Sequence, residues 1–341
     1  MKKLSFIDKF FYFINSLLAI ILLFSYLLPF VSPNTIPIFA VLSLFVPVLV
    51  IINLIFVIYW LIKLKKQFFL STTVLAIGWF FSPPFYKISD KNSSLNDDLK
   101  IMSFNVKSFD LFIHKTDTSS QTNGYDFISE KNPDVIAIQE FYQSKKIKLS
   151  FPYSYIETRS VKSKYGMAIF SKFKIISSGS LNFKGTSNNI IYADIVKQKD
   201  TIRIYNIHLE SLGIKPNEQN FGEENSEKLL KRVANSFKKQ ADQTKQFLAH
   251  EQQWKGKKIV CGDFNNTSYS WIYNQISRGK KDAFIEAGKG FGKSYEYIFP
   301  TRIDFILTDE TAIVNQFKTF SIKYSDHFPI QAKINWQVSL Y

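Results

Sequence analysis

Lys257-Lys258-Ile259-Val260-Cys261-Gly262-Asp263-Phe264-Asn265-Asn266 is the stretch on which the reading of this chain turns. Its apolar run is too short for a helix and reads as a buried strand. Gly262 breaks the strand, and Asp263 and Asn265 follow two residues apart with Phe264 between them. In extended backbone that spacing sends both polar side chains to one side and the ring to the other. A carboxylate beside an amide at a strand end can grip and orient one water molecule. The same residue types also build turns, so the stretch is weighed against the rest of the chain.

Working outward, polar residues able to do chemistry recur where other apolar runs end. Residues 99–106 read as a strand reaching Asn105, residues 134–140 as a strand ending on Glu140, and residues 201–209 as a strand carrying His208. Residues 302–307 form a strand that contains Asp304, and Asp326-His327 open a last strand. Residues 165–170 and 190–196 are further strands. Residues 125–131 read as a short helix stopped by Asn132-Pro133. Residues 223–253 read as a long amphipathic helix with Leu229, Val233, Phe237 and Phe247 among its apolar positions. Many strands and few helices predict an α+β sandwich, two packed sheets with helices outside. The ligand types are oxygens and imidazoles without a thiolate cluster, which suits Mg²⁺, Mn²⁺ or Ca²⁺ better than Zn²⁺. Taken singly, Glu140 also reads as a solvated strand end, His208 as a strand-edge residue and Asp326-His327 as a turn. His114 reads as a loop residue and His250 as a surface one, and neither is given a role.

The 341 residues carry 43 Lys and Arg against 28 Asp and Glu, a formal charge of +15. Residues 1–88 hold seven lysines and one acid, leaving 36 basic and 27 acidic residues in 89–341. A basic surface suits an anionic partner such as a phosphate ester, nucleic acid or lipid headgroups. Cys261 is the single cysteine, so no internal disulfide forms.

Residues 1–88 read as a membrane region with spans at about 10–30, 36–62 and 68–86, since a bilayer core of ~30 Å takes ~20 helical residues. The third run reaches that length only with residues 82–86. No small-x-small cleavage site follows the first run, which argues against a signal peptide. Lys2, Lys3 and Lys9 precede the first run, Lys63, Lys65 and Lys66 separate the second and third, and the loop at 31–35 is uncharged. The positive-inside rule then predicts a cytoplasmic N-terminus and an extracytoplasmic catalytic domain on a multi-pass cell-membrane protein. Residues 89–98 read as a polar linker and 99–341 as the catalytic domain.

The set Ser103-Phe104-Asn105-Val106, Ile138-Gln139-Glu140, Asn206-Ile207-His208-Leu209, Gly262-Asp263-Phe264-Asn265, Arg302-Ile303-Asp304-Phe305-Ile306 and Ser325-Asp326-His327-Phe328-Pro329 resembles the endonuclease/exonuclease/phosphatase superfamily in the family's order. This is the deoxyribonuclease I-like fold of abasic-site endonucleases, neutral sphingomyelinases and inositol polyphosphate 5-phosphatases. The resemblance runs from about residue 99 to 337 and leaves out the membrane region. It implies a four-layered α/β sandwich. It implies Glu140 as principal metal ligand, with Asn105 and Asp326 helping to hold the metal or its waters, and Mg²⁺ as cofactor with Mn²⁺ as the alternative. It implies Asp263 as the residue that orients or deprotonates water, with Asn265 beside it. It implies His327 and His208 as phosphate-contacting imidazoles, and Asp304 as the carboxylate that fixes His327.

The expected activity is therefore that of a membrane-anchored, divalent-metal-dependent phosphoesterase acting near the bilayer, on phospholipid or another membrane-proximal phosphate ester. A metal-dependent nuclease is the alternative enzyme, and a non-catalytic binding protein on the same fold is the alternative of another class. Three features favour lipid over nucleic acid. The linker, even extended over 87–100, reaches only about 50 Å at ~3.3–3.6 Å per residue. The extracytoplasmic placement separates the site from the chromosome. Phe141-Tyr142 follow Glu140, where DNA-cutting relatives often carry an Arg, and an aromatic pair suits an interfacial surface. The basic runs Lys145-Lys146, 255–258 and 278–281 attract lipid and nucleic acid alike.

Overall fold

A computed structural model describes residues 4–110, 119–143, 149–213 and 226–336. His114, Lys145-Lys146 and the expected helix start at residue 223 lie outside the described residues.

The strands are β1 (Leu99–Asn105), β2 (Val135–Tyr142), β3 (Tyr153–Thr158), β4 (Tyr165–Ser171), β5 (Lys174–Ser180), β6 (Asn189–Lys197), β7 (Asp200–His208), β8 (Lys257–Asp263), β9 (Lys280–Asp282), β10 (Asp304–Asp309), β11 (Ile313–Thr319) and β12 (Ile330–Asn335). They form two six-stranded sheets, ordered β11-β12-β1-β2-β4-β3 and β5-β6-β7-β8-β10-β9. Both sheets are mixed, because β1 pairs with β2 and β7 with β8 in parallel while the other pairs are antiparallel.

The sheets face each other across a core built from Ile101, Val135 and Ile330 on one side and Ile204, Cys261 and Ile306 on the other. The second sheet turns Ile190, Tyr205 and Val260 toward Phe247 of α6 (Ser226–Glu251) and Ile272 of α7 (Trp271–Ser277). The first sheet turns Met102, Phe104 and Ile136 toward Phe127 and Ile128 of α5 (Ser119–Lys131). Alternate residues of each central strand thus serve two apolar layers, which is why these strands read as continuous hydrophobic runs. The result is the expected helix–sheet–sheet–helix layering. In α6, Val233, Phe237, Ala241, Thr244 and Phe247 are buried at helical spacing.

The N-terminal region departs from the expected spans. Among the described residues, one helix, Phe6–Phe30, is long and apolar enough to cross a membrane, while Val46–Ile62 and Phe68–Phe81 are shorter. The second expected span, 36–62, is broken into α2 (Pro37–Leu42) and α3 (Val46–Ile62). Pro47 has no N–H to bond the Ser43 carbonyl four residues back. That carbonyl accepts from Thr267 Oγ1 instead, at 3.0 Å. The third, 68–86, stops at Phe81 as α4 (Phe68–Phe81), because Ser82 precedes Pro83-Pro84 and is extended.

α1 (Phe6–Ser25), α3 and α4 are held together by buried polar groups. Asn15 Nδ2 donates to Ser71 Oγ at 2.6 Å, Ser71 Oγ to Asn53 Oδ1 at 2.9 Å, and Trp60 Nε1 to Asn15 Oδ1 at 2.9 Å. The outward faces carry exposed Phe10, Phe13, Phe24, Ile55, Phe69 and Phe80. The bundle docks on the sandwich through its 26–45 connection. Asn274 Nδ2 donates to the Pro29 carbonyl at 2.8 Å, Asn34 Nδ2 donates to Asp242 Oδ1 at 2.7 Å, and Ala40, Val41 and Leu44 pack against Val233 and Phe237.

The expected linker does not swing free. Lys87 bridges to Gly290 and Asn92 to Gln316, and Asp98 accepts from Asn315 Nδ2 at 2.8 Å. This straps residues 87–98 along the sandwich edge at β11.

Candidate active site

All eight residues singled out in the sequence meet at one end of the sandwich, where the parallel strands β1, β2, β7 and β8 run out. Asn105 closes β1, His208 closes β7 and Asp263 closes β8, in register with His208 across the parallel pair. Asp304 opens β10 directly opposite Asp263. Asp326 and His327 sit just before β12. Glu140 lies near the end of β2 at a register shift between Ile138 and Phe141, with φ +50°. A left-handed non-glycine residue in a bulge is a strained means of re-aiming one side chain, and here the half-exposed carboxylate reaches the cavity.

The centre of the site is Asp263, 1% exposed. Asn105 Nδ2 donates to its Oδ2 at 3.0 Å, and the Asn265 N–H donates to its Oδ1 at 2.7 Å. His208 Nε2 and His327 Nε2 each stand 3.7 Å from the same Oδ2. Asn105 Nδ2 also lies 3.4 Å from Glu140 Oε1, which is 3.8 Å from His208 Nε2. One amide therefore spans two carboxylates, and its oxygen accepts the Lys107 N–H at 3.1 Å. Asn265 is left-handed at φ +49°, and its Nδ2 donates to the Leu209 carbonyl at 3.0 Å.

The His327 Nδ1 is 3.0 Å from Asp304 Oδ2, with both residues buried. Burial works against a charged His327 ring, but Asp304 and Asp263 outweigh it and lift its pKa to about 10. Burial pushes Asp263 up to about 6, against the pull of His327. A carboxylate of that kind is a proton acceptor poised near neutrality. Asp326 lines the cavity and is held by Lys107 Nζ at 2.9 Å.

The cavity has a volume of about 320 Å³, with Glu140, Asp263, Asn265, Asp326 and His327 at its acid end. Asp263, Asp304 and His327 bring one ligand atom each within 4.8 Å of one another, a grouping able to hold a metal ion. The Glu140 and Asp326 carboxylates open on the same cavity, so the donor chemistry fits a hard divalent cation. Asp304 Oδ1 is buried without a hydrogen-bond partner.

Sequence reasoning passed over several residues here. Lys107 follows Asn105 by two and belongs to no charge pattern. Tyr295 packs against His327, ring centroids 4.9 Å apart and tilted by 58°, and lines the cavity, yet it comes from an irregular segment with no periodic signal. Gln139 and Asn206 stand inside quoted motifs without an assigned role. Gln139 Nε2 donates to Asn206 Oδ1 at 2.7 Å, and Asn206 Nδ2 to the Ile138 and Ala168 carbonyls at 2.9 and 3.0 Å. They join the two sheets beneath the catalytic groups. The Phe141-Tyr142 pair is not an interfacial surface. Phe141 is buried against Phe170, because the register shift after Ile138 puts it on the α5-side face with Ile136 and Ile138. His250 is part-buried, its Nδ1 3.1 Å from Tyr205 Oη.

A family model described as endonuclease/exonuclease/phosphatase family matches residues 102–327, and one described as a domain of unknown function matches residues 8–85. The chain belongs to the endonuclease/exonuclease/phosphatase family. Members are metal-dependent phosphoesterases and nucleases, and this chain is accordingly a metal-dependent hydrolase of phosphate esters. Solved structures share the fold, two of them as follows. The endonuclease/exonuclease/phosphatase protein from Bacteroides vulgatus is 16% identical with a TM-score of 0.53, over 70% of this chain and 99% of that one. TDP2 from D. rerio, solved with a single-strand DNA product, is 18% identical with a TM-score of 0.51, over 70% and 100%. The search among curated proteins returned no match.

Proposed function

We propose that this endonuclease/exonuclease/phosphatase protein is anchored in a membrane and hydrolyses phosphate esters of amphiphilic molecules at that surface, with Mg²⁺ as its metal. The observation that carries the reading is the Asp263 carboxylate. It is buried between two amide donors and flanked by two imidazoles, and it faces a cavity that also admits Glu140 and Asp326.

Glu140 and Asp326, with Asn105 beside Glu140, are the residues that would hold the metal. Asp304 and His327 are better suited to each other, because the protonated ring donates to that carboxylate. A divalent cation supplies charge neutralisation at the phosphoryl oxygens and the leaving oxygen. Asp263 accepts the proton of the attacking water or fixes its orientation, with Asn265 completing the cradle. His327 donates from Nε2 to a non-bridging phosphoryl oxygen while Asp304 holds its Nδ1–H, and His208 donates from the other side. Such donors are each worth about 2.7–4 kcal/mol in comparable oxyanion sites.

The membrane reading is supported by a bundle whose outward faces carry exposed aromatic and aliphatic groups while buried polar side chains link its helices. α3 and α4 at 1.5 Å per residue are about 25 and 21 Å long, so crossing requires local thinning of the bilayer. The test is turnover of bis(p-nitrophenyl) phosphate by the full chain. Glu140→Gln is expected to raise the Mg²⁺ concentration needed for half-maximal rate at least about tenfold, the scale of a disturbed metal site. Asp263→Asn is expected to lower kcat by about 10²–10⁴ with the Mg²⁺ requirement unchanged. Full turnover in the Asp263 variant would remove this mechanism.

A further inference from the structure

We infer that Leu44 and Phe45, carried by the N-terminal helices, are part of the active site. With Leu212, Tyr297, Phe299 and Ile303 they form an apolar subsite for the hydrocarbon portion of an amphiphilic phosphate ester. The inference rests on the phosphoesterase reading and assigns the residues that receive the apolar part of its substrate.

The cavity is divided by polarity. Its charged lining residues, Lys107, Glu140, Asp263, Asp326 and His327, all belong to the catalytic cluster, and the remainder of the lining is uncharged. A volume of about 320 Å³ lies at the small end of the ~300–1,000 Å³ range of ligand pockets. A nucleic acid strand threaded through the cavity would carry one phosphate per nucleotide and need cations along the wall. Among the described lining residues the cations are Lys107 and His327, both beside the carboxylates.

The apolar wall is built into the catalytic scaffold. Ser43 accepts from Thr267 Oγ1 at 3.0 Å, and Thr267 is two residues beyond Asn265. The break before Pro47 that frees the Ser43 carbonyl also turns Leu44 and Phe45 into the cavity. Leu212 joins Leu44 through the cluster that packs α2 on α6. Across the opening, Tyr297 and Phe299 stack edge to face with centroids 4.6 Å apart. Between them Ile298 is 94% exposed, and Pro300 packs near Pro47, Pro84 and Phe85, where α3 begins and α4 has ended. An exposed apolar loop therefore stands at the mouth of the cavity, level with the ends of the helices.

The test uses full-length protein in lipid nanodiscs with Mg²⁺, and calorimetric titration with n-alkylphosphonates from methyl to octyl, corrected with protein-free nanodiscs. Dissociation constants are expected to tighten up to about fourfold per added methylene, the factor that ~0.8 kcal/mol per buried CH₂ gives, until the cavity is full. Leu44→Ser with Phe45→Ser is expected to flatten that dependence. Phe45→Trp, which keeps the wall apolar, is expected to bring the plateau at a shorter chain. A wild-type affinity independent of chain length would overturn the subsite. So would an unchanged dependence in both variants, or thymidine 5′-phosphate bound more tightly than octylphosphonate. Hydrolysis of bis(p-nitrophenyl) phosphate by the same preparation is read separately. Its absence with the chain-length dependence intact would sink the catalytic reading and leave the subsite standing.

Discussion

Gly262 decides where the Asp263 carboxylate can stand. Its φ of +135° is open only to glycine, and a Cβ there would lie 2.0 Å from the Ile207 carbonyl oxygen of the neighbouring parallel strand. The partner is backbone in the middle of a sheet, so it cannot give way. Gly262→Ala is expected to destabilise the catalytic domain by about 3 kcal/mol, the sum of a strained φ and an overpacked core position. A melting temperature within a degree of wild type would refute this. Sequence gave access to such residues unevenly. Asp263, Asn265, His208, Asp304, Asp326, His327, Glu140 and Asn105 were readable because each closes or opens an apolar run, and because the motifs occur in a family's order. Tyr295 and Lys107 were not, since an aromatic in an irregular segment and a lysine after a strand have many ordinary reasons to be there. Phe141 misled, because the register shift that turns Glu140 to the cavity also puts Phe141 in the core, and no sequence period announces a bulge.

At the scale of elements, the site depends on two separate sheets ending at the same height. Four parallel strand ends supply Asn105, Glu140, His208 and Asp263, two from each sheet. Apolar packing between sheets is non-directional and does not by itself fix their offset. The buried link from Gln139 to Asn206, continued to the Ile138 and Ala168 carbonyls, is directional and lies just below the catalytic groups. Asn206→Leu removes the side-chain donor to these two carbonyls and one acceptor of Gln139, which keeps Ser103 Oγ at 3.2 Å, at about 1–3 kcal/mol for each buried group left unsatisfied. The expected outcome is a loss of stability of that size and, in the folded fraction, a fall in kcat larger than any rise in KM. A variant with wild-type stability would show that packing alone sets the offset. The central strands were legible because both their faces are buried and they read as apolar runs. β5 and β11 were passed over, because Ser177, Ser178, Asn315 and Gln316 dilute their apolar pattern. Edge strands have one free flank, and their polar residues suit that position.

At the scale of the whole molecule, the proposed membrane anchoring makes the direction of the helical bundle a prediction of the side on which the cavity opens. The lysines on either side of the turn between α3 and α4, and the Asp8–Lys63 pair with Tyr59, mark one end of the bundle. The contacts of Pro29, Asn34 and Ser43 with the sandwich mark the other. The catalytic domain is thus docked at the end opposite the lysine-rich turn. On the proposed membrane anchoring, the positive-inside rule predicts the lysine-rich end in the cytoplasm and the domain outside. The apolar runs alone left this open, because hydropathy reports length and not which face meets protein. They also hid the break at 43–45 that brings Leu44 and Phe45 to the cavity. A reporter active only outside the cytoplasm, fused after Tyr341, is expected to be active, and a reporter active only in the cytoplasm is expected to be silent. Lysines placed in the uncharged 31–35 loop, at Ser32 and Thr35, are expected to weaken that asymmetry by competing with the cytoplasmic cluster. The inverse reporter pattern in the unaltered chain would mean that the third apolar run does not cross the membrane. The cavity would then open on the cytoplasmic face, and the substrate would have to be a cytoplasmic-leaflet or soluble phosphate ester.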